Sequence, residues 1–220
     1  MEAALDALRR SFEIGGWVML PLAALSAGAL AIVVERALFW ARLTGPATRK
    51  LVRELAARLR EGGHERAIDA TAERGDPYSR LARDLAGHGR RGGVGEVVAR
   101  EAIEAQRGAI ERFQGMLSII ITAAPMLGIL GTVTGIITSF QAIGGLAGDG
   151  MGSEGGGATD PRLIAGGIAQ ALYTTAFGLG IAIATLFPYA LFKGLADRAL
   201  TRLELLGASA MEGFGPPKSS

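Results

Sequence analysis

The sequence predicts an all-α membrane protein with three transmembrane helices and a helical cytoplasmic domain. Three long stretches carry no charged residue, and they are residues 14–34, 113–148 and 163–192. A helix needs about 20 apolar residues to cross the hydrocarbon core of a bilayer, and each stretch is long enough. The composition agrees, since 49% of the chain is hydrophobic. Buried helices of soluble proteins rarely continue beyond about 14 residues without a charge, which disfavours a soluble fold.

The first stretch is interpreted as a retained membrane span over residues 14–38. Two consecutive arginines before it resemble a twin-arginine export signal, so a cleaved signal peptide is the alternative. The stretch ends, however, in Glu35-Arg36 rather than in a small-residue cleavage site. Trp17 and Trp40 flank it as interfacial aromatic residues do. These features favour a permanent span.

The distribution of basic residues predicts the orientation. Residues 36–112 carry sixteen lysines and arginines, and residues 193–220 carry four more, against three on the opposite side. Cytoplasmic segments retain such a positive excess. We therefore expect a cytoplasmic helical domain over residues 39–112 and a cytoplasmic helix and tail after the third span. The N-terminal segment of residues 1–13 and the glycine-rich loop of residues 145–161 are expected in the periplasm.

The cytoplasmic domain shows helical periodicity. Apolar positions recur over residues 47–61, and a short helix is predicted over residues 64–75. Asp76-Pro77 provides an N-cap followed by a first-turn proline for a third helix. The arginines of this domain alternate with eleven acidic residues, which favours a solvated domain over a nucleic-acid surface.

The second span, residues 113–144, is expected to continue a helix that begins in the cytoplasmic domain. No helix-breaking sequence separates the helical pattern that begins at Val94 from the second span. The pattern therefore predicts one helix over residues 94–144, about 75 Å long at the α-helical rise. The third span, residues 162–192, is likewise expected to extend into the cytoplasm. Helices of this length need neighbours to pack against, which indicates an oligomer.

Two stripes run along the second span when it is projected as a helix. One, called here the hydroxyl stripe, comprises Ser118, Thr122, Pro125, Ile129, Thr132, Ile136 and Ser139. The other, called the glycine face, comprises Gly128, Gly131 and Gly135. Glycines let a second membrane helix approach closely, so the glycine face predicts helix packing and leaves the hydroxyl stripe facing a lumen. Pro125 cannot donate a backbone hydrogen bond and should bend the helix.

The third span presents a matching polar and small side. This side contains Gly167, Gln170, Thr174, Gly178 and Thr185, with Thr175 at its edge. A serine or threonine in a membrane helix often only bonds to its own backbone, and that is the alternative for each hydroxyl taken singly. Because the hydroxyls recur on one face and meet a polar side of another helix, we favour a lumen.

The three charge-free stretches contain no Asp, Glu, Lys, Arg or His. A hydroxyl can orient water, but its pKa is too high for it to store a proton. Any proton pathway therefore needs a titrating group from a partner helix. The chain has no cysteine, and its two histidines lie in polar, arginine-rich surroundings, so neither a metal site nor a cofactor is predicted. No nucleophile, base and acid set indicates an enzyme.

Two strings resemble the signatures of the ExbB/TolQ/MotA proton-channel family, in its three-span ExbB/TolQ branch. Residues 124–136 read APMLGILGTVTGI, and residues 168–179 read IAQALYTTAFGL. The resemblance implies a homopentamer in the inner membrane of a Gram-negative bacterium, whose second and third spans surround single-span helices of an ExbD/TolR-like partner. Each partner helix would carry one essential Asp, beside which Thr132 and Thr175 are placed. A TonB- or TolA-like protein is a further implied partner.

Two positions depart from the family pattern. Gln170 stands where ExbB and TolQ carry glutamate, and Ala184 replaces a proline, with Pro188 one turn later. A glutamine cannot hold a proton, so its role can only be hydrogen bonding. A TonB-linked, a Tol-linked and another motor, such as a gliding or secretion motor, remain open, as do protons and sodium. A non-conducting scaffold for partner helices is the alternative function.

Overall fold

The computed structural model describes residues 15–148 and 161–215, and all regular structure in them is helical. A single 3₁₀ turn at Gly16–Val18 precedes seven α-helices. They are α1 Met19–Leu43, α2 Pro46–Arg60, α3 His64–Asp69, α4 Pro77–Arg91, α5 Glu96–Ile110, α6 Gln114–Gly148 and α7 Pro161–Phe214. The expected N-terminal segment 1–13 and most of the expected glycine-rich loop lie outside the described residues.

Three of these helical segments are long and apolar enough to cross a membrane. They are Gly16–Leu43, Gln114–Gln141 and Pro161–Phe214. The prediction of an all-α protein with three membrane-length helices is therefore confirmed for the described part of the chain. Helix α7 is 54 residues long and continues well past residue 192, where the charge-free stretch of the third span ends.

The chain divides into two compact units. Among the described residues, the apolar unit comprises residues 15–33, 115–148 and 161–189, and the charged unit comprises residues 34–114 and 190–215. The helices α1 and α7 each contribute to both units, since the division falls within them.

The charged unit has a core of large apolar side chains. Tyr78 and several leucines of α2, α4 and α7 are fully buried there. Local signals begin two of these helices: Pro46 occupies the first turn of α2, and the Asp76 side chain accepts a 3.0 Å hydrogen bond from the Ser79 amide at the start of α4. The predicted cap at Asp76 is confirmed.

The predicted continuous helix over residues 94–144 is wrong. Helix α5 ends at Ile110, and α6 begins at Gln114 after a short turn. Phe113 in this turn has a φ of +67°, a left-handed conformation that ends a helix and is uncommon for a residue other than glycine. The turn residues Glu111, Arg112 and Phe113 include no glycine or proline, so the sequence pattern did not reveal the break.

Arg36 of α1 stabilises this break within the charged unit. Its guanidinium donates to the carbonyl oxygen of Ala109 at 3.2 Å, which in a continuous helix would accept from the amide of residue 113. The same guanidinium is paired with Glu35 and lies over the rings of Phe39 at 4.3 Å and Phe113 at 5.7 Å. Arg36 thus satisfies a carbonyl that the turn leaves without a helical partner.

Candidate channel helices

The helices α6 and α7 meet along a seam of small residues in the apolar unit. A side-chain carbon added at Gly128 would lie 3.0 Å from the Cα of Thr175. One added at Gly135 would lie 2.5 Å from the carbonyl oxygen of Gly167. At Gly135 the backbones approach so closely that only glycine fits, and at Gly128 a side chain would fit only if its neighbours moved, as in other tightly packed membrane helices.

Two further glycines lie in the same seam, Gly178 beyond Gly128 and Gly131 between Gly128 and Gly135. At Gly178 of α7 an added carbon would collide with the carbonyl of Ala124. At Gly131 it would collide with the side chain of Thr174, which is fully buried. The glycine face of α6 and Gly178 of α7 therefore lie where the two backbones touch.

Two hydroxyl residues lie in the seam rather than on an open face of the single chain. Thr174 donates to the carbonyl oxygens of its own helix, at 3.0 Å to Gln170 and 3.1 Å to Ala171. Ser139, only 6% exposed, is within 3.1 Å of both its own-helix carbonyl and that of Ile164 on α7. Ser139 thus joins α6 to α7, whereas Thr174 fills the space beside a glycine.

Thr175 also joins the two helices, but its side chain is only partly buried. Its hydroxyl donates to the carbonyl oxygen of Gly128 on α6 at 3.0 Å. With its single proton committed to this bond, the oxygen keeps acceptor capacity alone. Thr132 of α6 is partly buried and donates to the Ile129 carbonyl of its own helix at 2.6 Å. The Thr132 oxygen therefore also keeps only its capacity to accept hydrogen bonds.

Most of the hydroxyl stripe lies on the open side of α6. Ser118, Thr122, Ile129 and Ile136 are exposed, and Pro125 is partly exposed. Thr122 donates to the carbonyl oxygens of Ser118 and Ile119. The stripe therefore keeps a face free of intrachain packing, with Ser139 as its one member that is buried in the seam.

Gln170 of α7 contacts the beginning of the first helical segment. Its side-chain nitrogen lies 3.5 Å from the carbonyl oxygen of Gly15, and the 3₁₀ turn begins at the next residue. The sequence indicated a polar role for Gln170 but gave no sign of this contact. The signal that could have suggested it is the pair Gly15-Gly16, since adjacent glycines permit close approach of another chain segment.

The faces of α6 and α7 carry hydrogen-bonding groups but no proton-storing side chain in the apolar stretches of the sequence. Among the described residues, no group of three or more His, Cys, Asp or Glu side chains is placed to bind a metal ion. The arrangement can accept and orient hydrogen bonds from a titrating group that is brought to it.

Comparison with known proteins gives a consistent result. A family described as the MotA/TolQ/ExbB proton channel family matches residues 82–205. Two Synechocystis proteins named as ExbB-like biopolymer transport proteins are each 32% identical to the chain. The first alignment covers 86% of this chain and 87% of the relative, and the second covers 90% and 75%.

A protein of Methanothermobacter thermautotrophicus named as an ExbB homologue is 27% identical, over 89% of this chain and 66% of its own length. The family match covers more than half of the chain, and the first Synechocystis alignment covers more than four fifths of both proteins. Together with the three membrane-length helices, these similarities identify a multi-pass membrane protein. The chain belongs to the MotA/TolQ/ExbB proton channel family.

Proposed function

We propose that the chain is the channel subunit of a membrane complex that converts the proton motive force into mechanical work. Its partner would be an ExbD/TolR-like single-span subunit with one essential Asp. The observation that carries the proposal is the open face of α6, which presents hydroxyls without any titratable group. Because hydroxyls cannot store a proton, such a face conducts protons only when a partner supplies the carboxyl group.

The hydrogen-bond state of the two central threonines supports this role. Thr132 and Thr175 both use their protons within the chain, so their oxygens are available as acceptors. An acceptor binds the O–H of a protonated carboxylic acid, whereas it repels an ionised carboxylate. In this proposal the two threonines therefore favour the protonated form of the partner's Asp while it passes.

The remaining polar positions divide by location in this proposal. Ser118, Thr122 and Pro125 line the pathway with Thr132, because they share its open face. Ser139 and Thr174 act through the seam, where they hold α6 against α7. A rigid seam keeps the pathway face in register while the partner moves.

We further propose a homopentamer whose second and third spans surround the partner helices in a bacterial inner membrane. The excess of basic residues over residues 36–112 favours a cytoplasmic position for that segment and for the C-terminus, and a periplasmic N-terminus. A TonB- or TolA-like protein is the candidate recipient of the work, which would serve import or maintenance of the cell envelope.

A set of three threonine variants tests the pathway. Thr132→Val keeps the shape but removes the acceptor, so we expect proton-coupled activity of the co-expressed complex to be lost while the complex still assembles. Thr132→Ser restores the hydroxyl and should recover activity. Thr134→Val is the matched control, since Thr134 bonds to its own backbone at Gly131 and lies on another face of α6.

Residual activity in Thr132→Val should also shift to lower pH, because the protonated carboxyl has lost an acceptor. Normal activity and an unchanged pH profile in this variant would contradict the proposed role. Full activity of the complex without a proton gradient would instead favour a non-conducting scaffold.

A further inference from the structure

We propose that Gln170 of α7 is a positioning residue that fastens the start of the first membrane-length segment, Gly16–Leu43, to α7. Its side-chain amide holds the turn at Gly15 and Gly16, both of which lie in the apolar unit with Gln170. The side chain would then serve to place one helix of the chain against another, which is independent of any role in a proton pathway.

The first support is the fit between the amide and the turn. The Gln170 side-chain nitrogen is 3.5 Å from the carbonyl oxygen of Gly15, a long hydrogen bond. The amide also occupies the space that a side chain at Gly16 would need. An added carbon there would lie 3.3 Å from the Gln170 Cδ and would collide with its nitrogen.

The second support is the backbone of the turn itself. Gly16 has a φ of +64°, a conformation that side-chain-bearing residues rarely adopt. The backbone angle therefore favours glycine at this position, and a side chain there would also displace the Gln170 amide from its present place. Both effects arise at the residue that follows the carbonyl to which Gln170 donates.

The third support is the packing of the residues that follow. Val18 and Leu22 have no exposed surface and Met19 is 1% exposed, whereas Trp17 between them and the glycines is 60% exposed. Gly15 is packed as well, because an added carbon would collide with Met19. The residues after the turn are thus packed inside the apolar unit, although the end of a helix is usually a place where its backbone hydrogen bonds open.

The chemistry of the amide explains why a glutamine suits this position. A glutamine nitrogen donates to a carbonyl oxygen, whereas an ionised glutamate has only acceptors and would face the Gly15 oxygen with like partial charge. An unpaired polar group in apolar surroundings is costly. The glutamine that replaces the glutamate of the family signature therefore permits a contact that an ionised glutamate would prevent.

Amide hydrogen exchange of the complete complex tests this inference. In the unmodified protein we expect the amide of Met19, which donates to the carbonyl oxygens of Gly16 and Trp17, to be protected from exchange. Gln170→Glu should accelerate exchange there about fivefold, the factor that corresponds to the loss of about 1 kcal/mol for one hydrogen bond. Gln170→Met, uncharged and similar in size, should do the same and serves if the glutamate variant does not accumulate.

The control is Gly28→Ala on α1, the helix that follows the turn. This variant should leave exchange at the turn unchanged, because the space around Gly28 is open. Exchange at residues 120–140 of α6 should remain unchanged in both Gln170 variants, since a positioning role affects the turn and not the whole unit. Rapid exchange of the turn in the unmodified protein would overturn the inference. So would an unchanged turn in Gln170→Met, or an equal acceleration throughout the apolar unit.

Discussion

The apolar unit and the charged unit are packed in opposite ways. In the apolar unit small residues and backbone meet inside, at Gly128, Gly135 and Gly178. Several large apolar side chains of α6 and α7 in the same unit are exposed, although Met19 and Leu22 are buried. Among the exposed ones are Met126 at 69%, Phe140 at 67%, Leu172 at 68% and Phe187 at 72% exposure.

In the charged unit the large apolar side chains are inside. Leu55, Leu59, Leu203 and Leu206 have no exposed surface, and the ion pairs lie mostly at the surface. Burial of apolar surface stabilises a unit that is surrounded by water. It gives little to helices surrounded by lipid tails, where close packing and hydrogen bonds between helices take its place. One chain thus contains both kinds of packing, a core of large apolar side chains in the charged unit and closely packed small residues in the apolar unit.

The largest effect is expected where the apolar unit depends on a missing side chain. Gly178→Ala would drive a methyl group into the Ala124 carbonyl, so we expect the complex to fail to accumulate or to melt far below the unmodified one. Gly180→Ala, two residues along the same helix and with open space around it, should have little effect. Thermal melting of the detergent-extracted protein compares the two, and equal melting would contradict the seam.

The reverse change should weaken the charged unit. Leu203→Ala removes a fully buried side chain and should lower the free energy of unfolding by about 2–5 kcal/mol. Leu205→Ala, on the same helix but 45% exposed, should change it by much less. Denaturant unfolding followed by circular dichroism measures both. Similar losses would mean that this unit is not held by its core.

A smaller loss is expected at the break between α5 and α6. Arg36→Ala leaves the Ala109 carbonyl without its donor and Glu35 without its pair, and should cost about 2 kcal/mol. Arg42→Ala serves as the control, because Arg42 is exposed on the same helix. If both variants unfold at the same denaturant concentration, Arg36 does not stabilise the turn.

The smallest effect concerns Tyr78 in the core of the charged unit. Burial raises the pKa of its hydroxyl above 10.0, and the neighbouring Arg202 acts in the opposite direction. The unfolded chain therefore loses this proton first, and stability should fall as the pH rises above about 10.

Tyr78→Phe should reduce the alkaline loss and be neutral or slightly stabilising at pH 7, because the buried hydroxyl has no hydrogen-bond partner of ordinary geometry. Unfolding midpoints measured between pH 7 and pH 11 give the comparison. A loss with the same pH dependence in both proteins would exclude Tyr78 as its source.

Much of this arrangement could be predicted from local sequence. The three membrane-length helices follow from charge-free length, and the start of α4 follows from Asp76-Pro77. The spacing of Gly128, Gly131 and Gly135 pointed to the face that packs. In each case the determining residues are close together in the sequence.

The features that sequence did not predict depend on distant residues. The break at Phe113 is held by Arg36, and Gln170 meets Gly15 across 155 positions. Helical projection also placed Ser139 with the open stripe, although the neighbouring helix covers it. A projection gives the direction of a side chain but not the extent of the partner that packs there.

Proton flux into liposomes tests the central claim most directly. The chain reconstituted alone should not conduct protons, because the charge-free stretches of its spans contain no proton-storing side chain. Addition of the proposed ExbD/TolR-like single-span subunit should produce flux, and replacement of the essential Asp proposed for that subunit by Asn should abolish it. Equal flux with and without the partner would contradict the account, since the chain would then conduct without a carboxyl group from another subunit.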